Sequence, residues 1–411
     1  MFRTKSRLLG VAAVAGALAL SLAACSSDTG GAAGSPSESS SAPALPDKLT
    51  IGFVGSLTGP LAASGINSLA GLKAGAEYAE TLHPGMTIEV VERDTAGEAT
   101  AAVAQTRELA QAGATAIFFT TEAFPAVQDV LNQVKIPGGT SGGIAAVLPE
   151  VGDSHRYKYA FSTGAGNAGD TAITPLLDYA SQFGDKIGLV EDASAFAVAQ
   201  ADLTEDIAKA DYPDLELVRV SFPASASDAT AQLSTLQQAD VDAVVMWPYG
   251  TPAVTVMSSF DKLGWYPPTA GTLGLGTPAI VEATPAELAE DLAAGPMAKT
   301  FLDPALDTTG VVSEFVTRYM DALDKTEFTP LDTVGANSFD WSVLIAQAVA
   351  DTGKTDGDSI KTYLTSGEEF TGANGVYVFG PDKRIGIDAS ELQLYRSTEP
   401  CSPEGICVPV E

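Results

Sequence analysis

Histidine is nearly missing from this sequence, with only His83 and His155 in 411 residues. General acid–base catalysis and zinc chemistry therefore have little to work with. Cysteine is almost as scarce: there are three, of which Cys401 and Cys407 lie six positions apart with no histidine or further cysteine nearby, so they do not make a metal site. Cations are few as well, 22 Lys and Arg against 52 Asp and Glu. A surface of that sign repels nucleic-acid phosphates and anionic headgroups, which excludes nucleic acid as a partner. Beyond the first 24 residues no apolar run is long enough to span a bilayer.

The amino terminus has a different character. Arg3, Lys5 and Arg7 precede an uncharged run from Leu8 that stops at Leu22-Ala23-Ala24-Cys25. The run falls short of the roughly 20 residues a spanning helix needs, and small residues before a cysteine suit lipoprotein processing. Residues 1–24 are thus expected to be a signal peptide, with Cys25 the lipidated residue that anchors the chain to the membrane outside the cytoplasm. The stretch that follows Cys25, up to Asp47, is rich in Ser, Gly, Ala and Pro and reads as a flexible leash with a reach of about 25 Å. Without the signal, 19 basic residues face 52 acids, a net charge of −33. In an oxidising compartment Cys401 and Cys407 are expected to form a disulfide that ties down a tail, 397–411.

The body from Lys48 onward is too long for one ordinary core and suits two lobes. Strands are expected at 49–55, 87–91 and 115–119, alternating with helices at 67–81, 99–112 and 126–134. The rhythm restarts after Gly164, with strands at 186–190, 215–220 and 243–247 between helices at 170–183, 197–210 and 229–238. This predicts an α/β chain with parallel sheets. Helices at 311–323 and 334–350 are expected to return to the first lobe.

Ligands in open parallel sheets sit beyond the carboxyl ends of the strands, near helix amino termini. Those ends carry Ser56 and Thr58, Thr120 and Thr121, and Thr140 and Ser141, hydroxyls able to hold a carboxylate or amide. N-capping is the ordinary role of such residues, but three clusters at successive strand ends favour a site.

Ile51-Gly52-Phe53-Val54-Gly55-Ser56-Leu57-Thr58-Gly59-Pro60, followed by Gly71 and Val91-Glu92-Arg93-Asp94, resembles the opening of the branched-chain amino-acid-binding family of ABC importers, the leucine/isoleucine/valine-binding-like, type I periplasmic binding proteins. Gly113-Ala114-Thr115-Ala116-Ile117, Ile136-Pro137, Tyr159-Ala160-Phe161-Ser162-Thr163, Lys186-Ile187-Gly188-Leu189-Val190 and Asp242-Ala243-Val244-Val245 extend the likeness. It implies two Rossmann-like lobes joined by three crossings and closing on a small-molecule ligand, with no cofactor and no catalysis, and an ABC permease as partner. Residues 48–163 with about 297–370 would form the first ligand-binding lobe, and 164–296 with about 371–396 the second. The resemblance further places Phe196, Trp247 and Tyr249 over the ligand as rigid aromatic contacts.

Two departures bear on ligand class. Relatives that bind amino acids commonly carry an acid in the stretch that here reads Gly271-Thr272-Leu273-Gly274-Leu275-Gly276, with Leu275 among the expected contacts. Either Glu122 or Asp192 substitutes as the ammonium partner, or the ligand has no ammonium. Ser64 stands where relatives often have an aromatic ring, which leaves room for a bulkier carboxylate or amide, although amino acids rank first. A ligand-sensing partner for a membrane receptor is an alternative role on the same fold. Two enzyme signatures are set aside. Gly164-Ala165-Gly166-Asn167-Ala168-Gly169 matches a dinucleotide fingerprint, but the strand before it opens with His155, Arg156 and Lys158. Gly139-Thr140-Ser141-Gly142-Gly143 fits a hydrolase elbow but lacks a distant downstream histidine.

Overall fold

The computed structural model describes residues 45–46, 48–59, 61–142, 148–164 and 170–410. The lipidation residue Cys25, the signal stretch, Pro60, Gly143 of the elbow motif and residues 165–169 of the dinucleotide-like motif lie outside the described residues.

The first half alternates strand and helix: β1 (Lys48–Gly55), α1 (Ala62–Leu82), β2 (Thr87–Asp94), α2 (Ala99–Gln111), β3 (Ala116–Phe119), α3 (Phe124–Val134), β4 (Gly138–Thr140) and β5 (Ala160–Ser162). The second half repeats the alternation with α4 (Asp170–Ala180), β6 (Lys186–Asp192), α5 (Ala195–Asp211), β7 (Glu216–Phe222), α6 (Thr230–Gln238), β8 (Ala243–Met246), α7 (Thr251–Leu263), β9 (Thr269–Gly271), α8 (Pro278–Ala283) and β10 (Leu292–Ala298). The chain closes with α9 (Val311–Ala322), α10 (Val334–Thr352), α11 (Gly357–Leu364), the hairpin β11 (Glu369–Gly372) and β12 (Gly375–Val378), and β13 (Leu392–Arg396).

Two parallel sheets result. The first runs β2-β1-β3-β4-β5 and the second β13-β10-β9-β8-β6-β7, with β13 alone antiparallel to its neighbour. Central strands such as β3 (Ala-Ile-Phe-Phe) and β8 (Ala-Val-Val-Met) are apolar throughout because helices cover both faces. Edge strand β2, Thr-Ile-Glu-Val-Val-Glu-Arg-Asp, alternates with polar residues that meet water. Among the described residues no helix is long and apolar enough to cross a membrane.

Helices α9 and α10 pack on α1. The stretch 371–396, assigned to the second lobe from sequence, divides. Only β13 pairs with the second sheet, whereas the hairpin packs on α10, and Ser162 of β5 bridges to Ile385. Buried Tyr377, which stacks with Phe379 and hydrogen-bonds Asp340 of α10, holds the hairpin there. Cys401 and Cys407 are disulfide-bonded.

Candidate ligand site at the strand ends

Parallel register sets the site. In the first sheet Val54 pairs with Phe119, Phe119 with Thr140 and Thr140 with Ser162. Gly55, Thr120, Ser141 and Thr163 therefore leave the sheet at one level. In the second sheet Val190 pairs with Met246, and Met246 with Gly271. Strand order reverses direction at β1/β3 and at β6/β8, the two places where such sheets open a crevice.

Glu122 organises the first crevice. Ser56 Oγ and Thr120 Oγ1 both donate to Glu122 Oε1, each at 2.7 Å, with the hydroxyls buried and the carboxylate half-exposed. The approach of α1 is part of this geometry: a Cβ on Gly65 would lie 1.8 Å from the Ser56 carbonyl oxygen, so only glycine lets the helix sit so close. Ser64, next to it, is exposed.

Sequence reasoning overlooked Asp94, which fixes the loop after β1. Its carboxylate accepts the Leu57 amide at 2.8 Å, the Thr58 hydroxyl at 2.7 Å and the Ala96 amide at 2.8 Å. Those bonds, the Thr58 hydroxyl first, hold its pKa down to about 2. The Thr58 hydroxyl is thereby committed to the loop. Thr140 is committed too, its hydroxyl donating to the Gly142 carbonyl at 2.6 Å. Thr121 is exposed, and Ser141 is buried beside Thr140.

In the second crevice Trp247, expected over the ligand, is 3% exposed, belongs to a core cluster with Ile173, Leu189 and Leu394, and donates its indole N–H to Thr204 Oγ1 at 3.0 Å. Leu275 is likewise fully buried in the core. By contrast, Phe196 in the first turn of α5 and Tyr249 after β8 are 50% and 53% exposed. Tyr249 lies on Gly274, where a Cβ would come within 2.3 Å of the ring. Asp192 is buried and accepts the Ser194 amide at 2.8 Å. Glu191 is engaged by Arg219, a pair that sequence did not indicate.

Among the described residues no group of His, Cys, Asp and Glu has a metal-holding arrangement. The site offers hydroxyls, amides, one half-exposed carboxylate and two rings. Such groups can hold and orient a ligand.

No relative was found among curated proteins. Several solved structures share the fold. An ABC transporter substrate-binding protein from Sphaerobacter thermophilus is 21% identical, with a TM-score of 0.71 over 89% of this chain and 97% of that one. The branched-chain amino acid transporter substrate-binding protein of Streptococcus pneumoniae, solved with isoleucine, is 20% identical, with a TM-score of 0.63 over 88% and 99%. A solute-binding protein from Rhodopseudomonas palustris BisB5, solved with 3,4-dihydroxybenzoic acid, is 18% identical, with a TM-score of 0.64 over 85% and 93%. A family model described as periplasmic binding protein matches residues 48–394. That match takes in both sheets and both crevices, and the chain belongs to the periplasmic binding protein family.

Proposed function

We propose that this chain is an exported, lipid-anchored substrate-binding protein that captures a small polar organic ligand between its two lobes and delivers it to an ABC permease. The observation that carries the reading is the pairing of two switch-point crevices within one family fold. One is lined by Ser56, Thr120 and Glu122, and the other presents the exposed rings of Phe196 and Tyr249. Exposed aromatic rings at strand ends gain most when a ligand and the opposite lobe cover them. Export and anchoring rest on the Arg3–Cys25 pattern and on the family's extracytoplasmic setting.

Native mass spectrometry of freshly purified protein is the direct test of binding. A retained small molecule is expected, and adding that molecule to stripped protein should raise the melting temperature with the logarithm of its concentration. Anchoring is tested by Cys25→Ala, which should move the protein from the membrane fraction to the medium. Uptake of the ligand by cells should fall when the gene is deleted and return with the wild-type chain. A protein that binds nothing, or that converts its ligand, would end the reading.

A further inference from the structure

We infer that the ligand of this site presents a cationic amine to Glu122, so that the first lobe anchors the ligand through a carboxylate and the protein selects for amines. The inference rests on the strand ends being the ligand site, as proposed above.

A hydroxyl has one hydrogen. Those of Ser56 and Thr120 both point at Glu122 Oε1, so neither remains to donate to a ligand carboxylate. The Thr58 hydroxyl is spent on Asp94 and that of Thr140 on Gly142. The first crevice thus presents a carboxylate, an acceptor whose Oε1 is already held by two hydroxyl donors. A ligand carboxylate placed there would meet like charge, whereas an ammonium would complete the site.

The strand-end loops at both crevices carry no Lys or Arg. The sequence has no Lys or Arg in 49–72, 108–134, 136–155, 159–185, 187–208, 220–261 or 263–298, which take in the loops after β1, β3, β4, β5, β6, β8 and β9. Among the described residues no Lys or Arg forms an ion pair with Glu122 or Asp192, while Glu191, next to Asp192, is neutralised by Arg219. The exposed rings of Phe196 and Tyr249 offer the negative faces that attract organic cations. Carboxylate, missing cation and aromatic rings are separate features that select the same ligand class.

The test is a calorimetric panel on the intact mature protein, after native mass spectrometry has established which small molecule is retained. Leucine, 3-methylbutylamine and 4-methylpentanoate separate amine from carboxylate at a fixed side chain, and the retained molecule is compared with its deaminated form. Binding by amine-bearing probes, weakened about tenfold or more by Glu122→Gln, supports the inference, since a charge-assisted hydrogen bond carries that factor. Should Glu122→Gln not fold, Glu122→Asp keeps the charge but shortens its reach, and the same loss is expected. Binding of 4-methylpentanoate or another amine-free acid, unchanged or tightened by Glu122→Gln, overturns the amine assignment and leaves the binding-protein reading standing. No retained molecule and no binding by any probe overturns both.

Discussion

Tyr377 donates its hydroxyl hydrogen to Asp340 Oδ2 across 2.8 Å, and neither side chain reaches solvent. Asp340 also accepts the amides of Ala373 at 2.7 Å and Asn374 at 3.0 Å. Asn374 in turn donates to the side chain of Asn337 at 2.9 Å, whose carbonyl accepts the Thr163 hydroxyl at 2.7 Å. Thr300, just beyond β10, donates to the Ala373 carbonyl. Thr163 follows β5, where the chain leaves the first sheet, and Thr300 follows β10, where it returns. One buried network on α10 therefore fastens both passages and the hairpin turn.

Burial raises the Asp340 pKa to about 6 despite the three donors. A carboxyl held above its ordinary value binds its proton more tightly in the folded chain than in the unfolded one. Its contribution to stability is complete below about pH 4 and is lost as pH rises through 6, amounting to about 3 kcal/mol across that span. Urea titrations between pH 4 and 7.5 should show a downward slope in the wild type that Asp340→Asn removes. The variant should also be less stable overall, because its amide NH2 would face a backbone donor. Parallel pH profiles for the two proteins would refute the assignment.

The order of elements was legible because β-branched and aromatic strands of this chain alternate with Ala-rich helices. Strand 186–190 was read as it stands, extended by two residues, and 311–323 differs from α9 by one. The three-residue strand β9 escaped because Thr-Ala-Gly has no periodicity to read, and only pairing with its neighbours makes it a strand. Hydroxyls at strand ends were legible as a class, since β1 and β3 were located. Their partners were not: nothing in the spacing joins Ser56 to Glu122 across 66 positions or Thr58 to Asp94 across 36. Trp247 was legible only as part of a loop marked by Pro248 and Gly250, because nothing in the spacing joins its indole to Thr204 of α5. Asp340, set between Phe339 and Trp341 in a helix whose next turns run Val343-Leu344-Ile345-Ala346, was the available clue to the buried network.

Phe196, Tyr249 and Trp247 should separate cleanly by readout. Phe196→Ala and Tyr249→Ala remove half-exposed rings, so unfolding free energy should change by no more than about 0.5 kcal/mol, while affinity for the retained ligand falls. Trp247→Phe should do the reverse. It leaves the Thr204 hydroxyl without its donor and opens space in the core, costing about 1–3 kcal/mol of stability with affinity nearly unchanged. Chemical denaturation and calorimetry on the same three variants check both halves. Loss of affinity in Trp247→Phe at preserved stability would return that ring to the site.

Asp94 holds the loop after β1 by local bonds at the surface, so its effect should be local. With a folded-state pKa near 2, below the ordinary value, its contribution is present above about pH 4 and is lost as pH falls through 2. Solvent screening keeps that contribution small at an exposed site. Asp94→Ala should speed hydrogen exchange at the amides of Leu57 and Ala96, whose acceptor it removes, and weaken ligand binding by loosening Ser56, with little change in melting temperature. Unchanged exchange at those two amides would show that the loop does not depend on Asp94.

The disulfide-closed tail joins parts of both lobes. The Arg396 amide of β13 donates to Val408 at 2.8 Å and the Val410 amide to Leu394 at 3.0 Å, which fastens the tail to the second sheet. The Cys407 amide donates to Phe301 at 2.8 Å, Cys407 is buried in the core, and Gly405 lies against Val316 of α9 and Phe328, so the same short segment rests on elements packed around the first lobe. Closing so small a loop removes only a modest amount of unfolded-chain entropy, about 2 kcal/mol. The double variant Cys401→Ser, Cys407→Ser should lose about that much stability and show faster hydrogen exchange at Cys407→Ser and Val410. Because the strap contacts both lobes, the variant should also open more readily, raising the ligand's dissociation rate more than it lowers the association rate. Stability within about 0.5 kcal/mol of wild type, together with an unchanged dissociation rate, would reduce the disulfide to a local clasp.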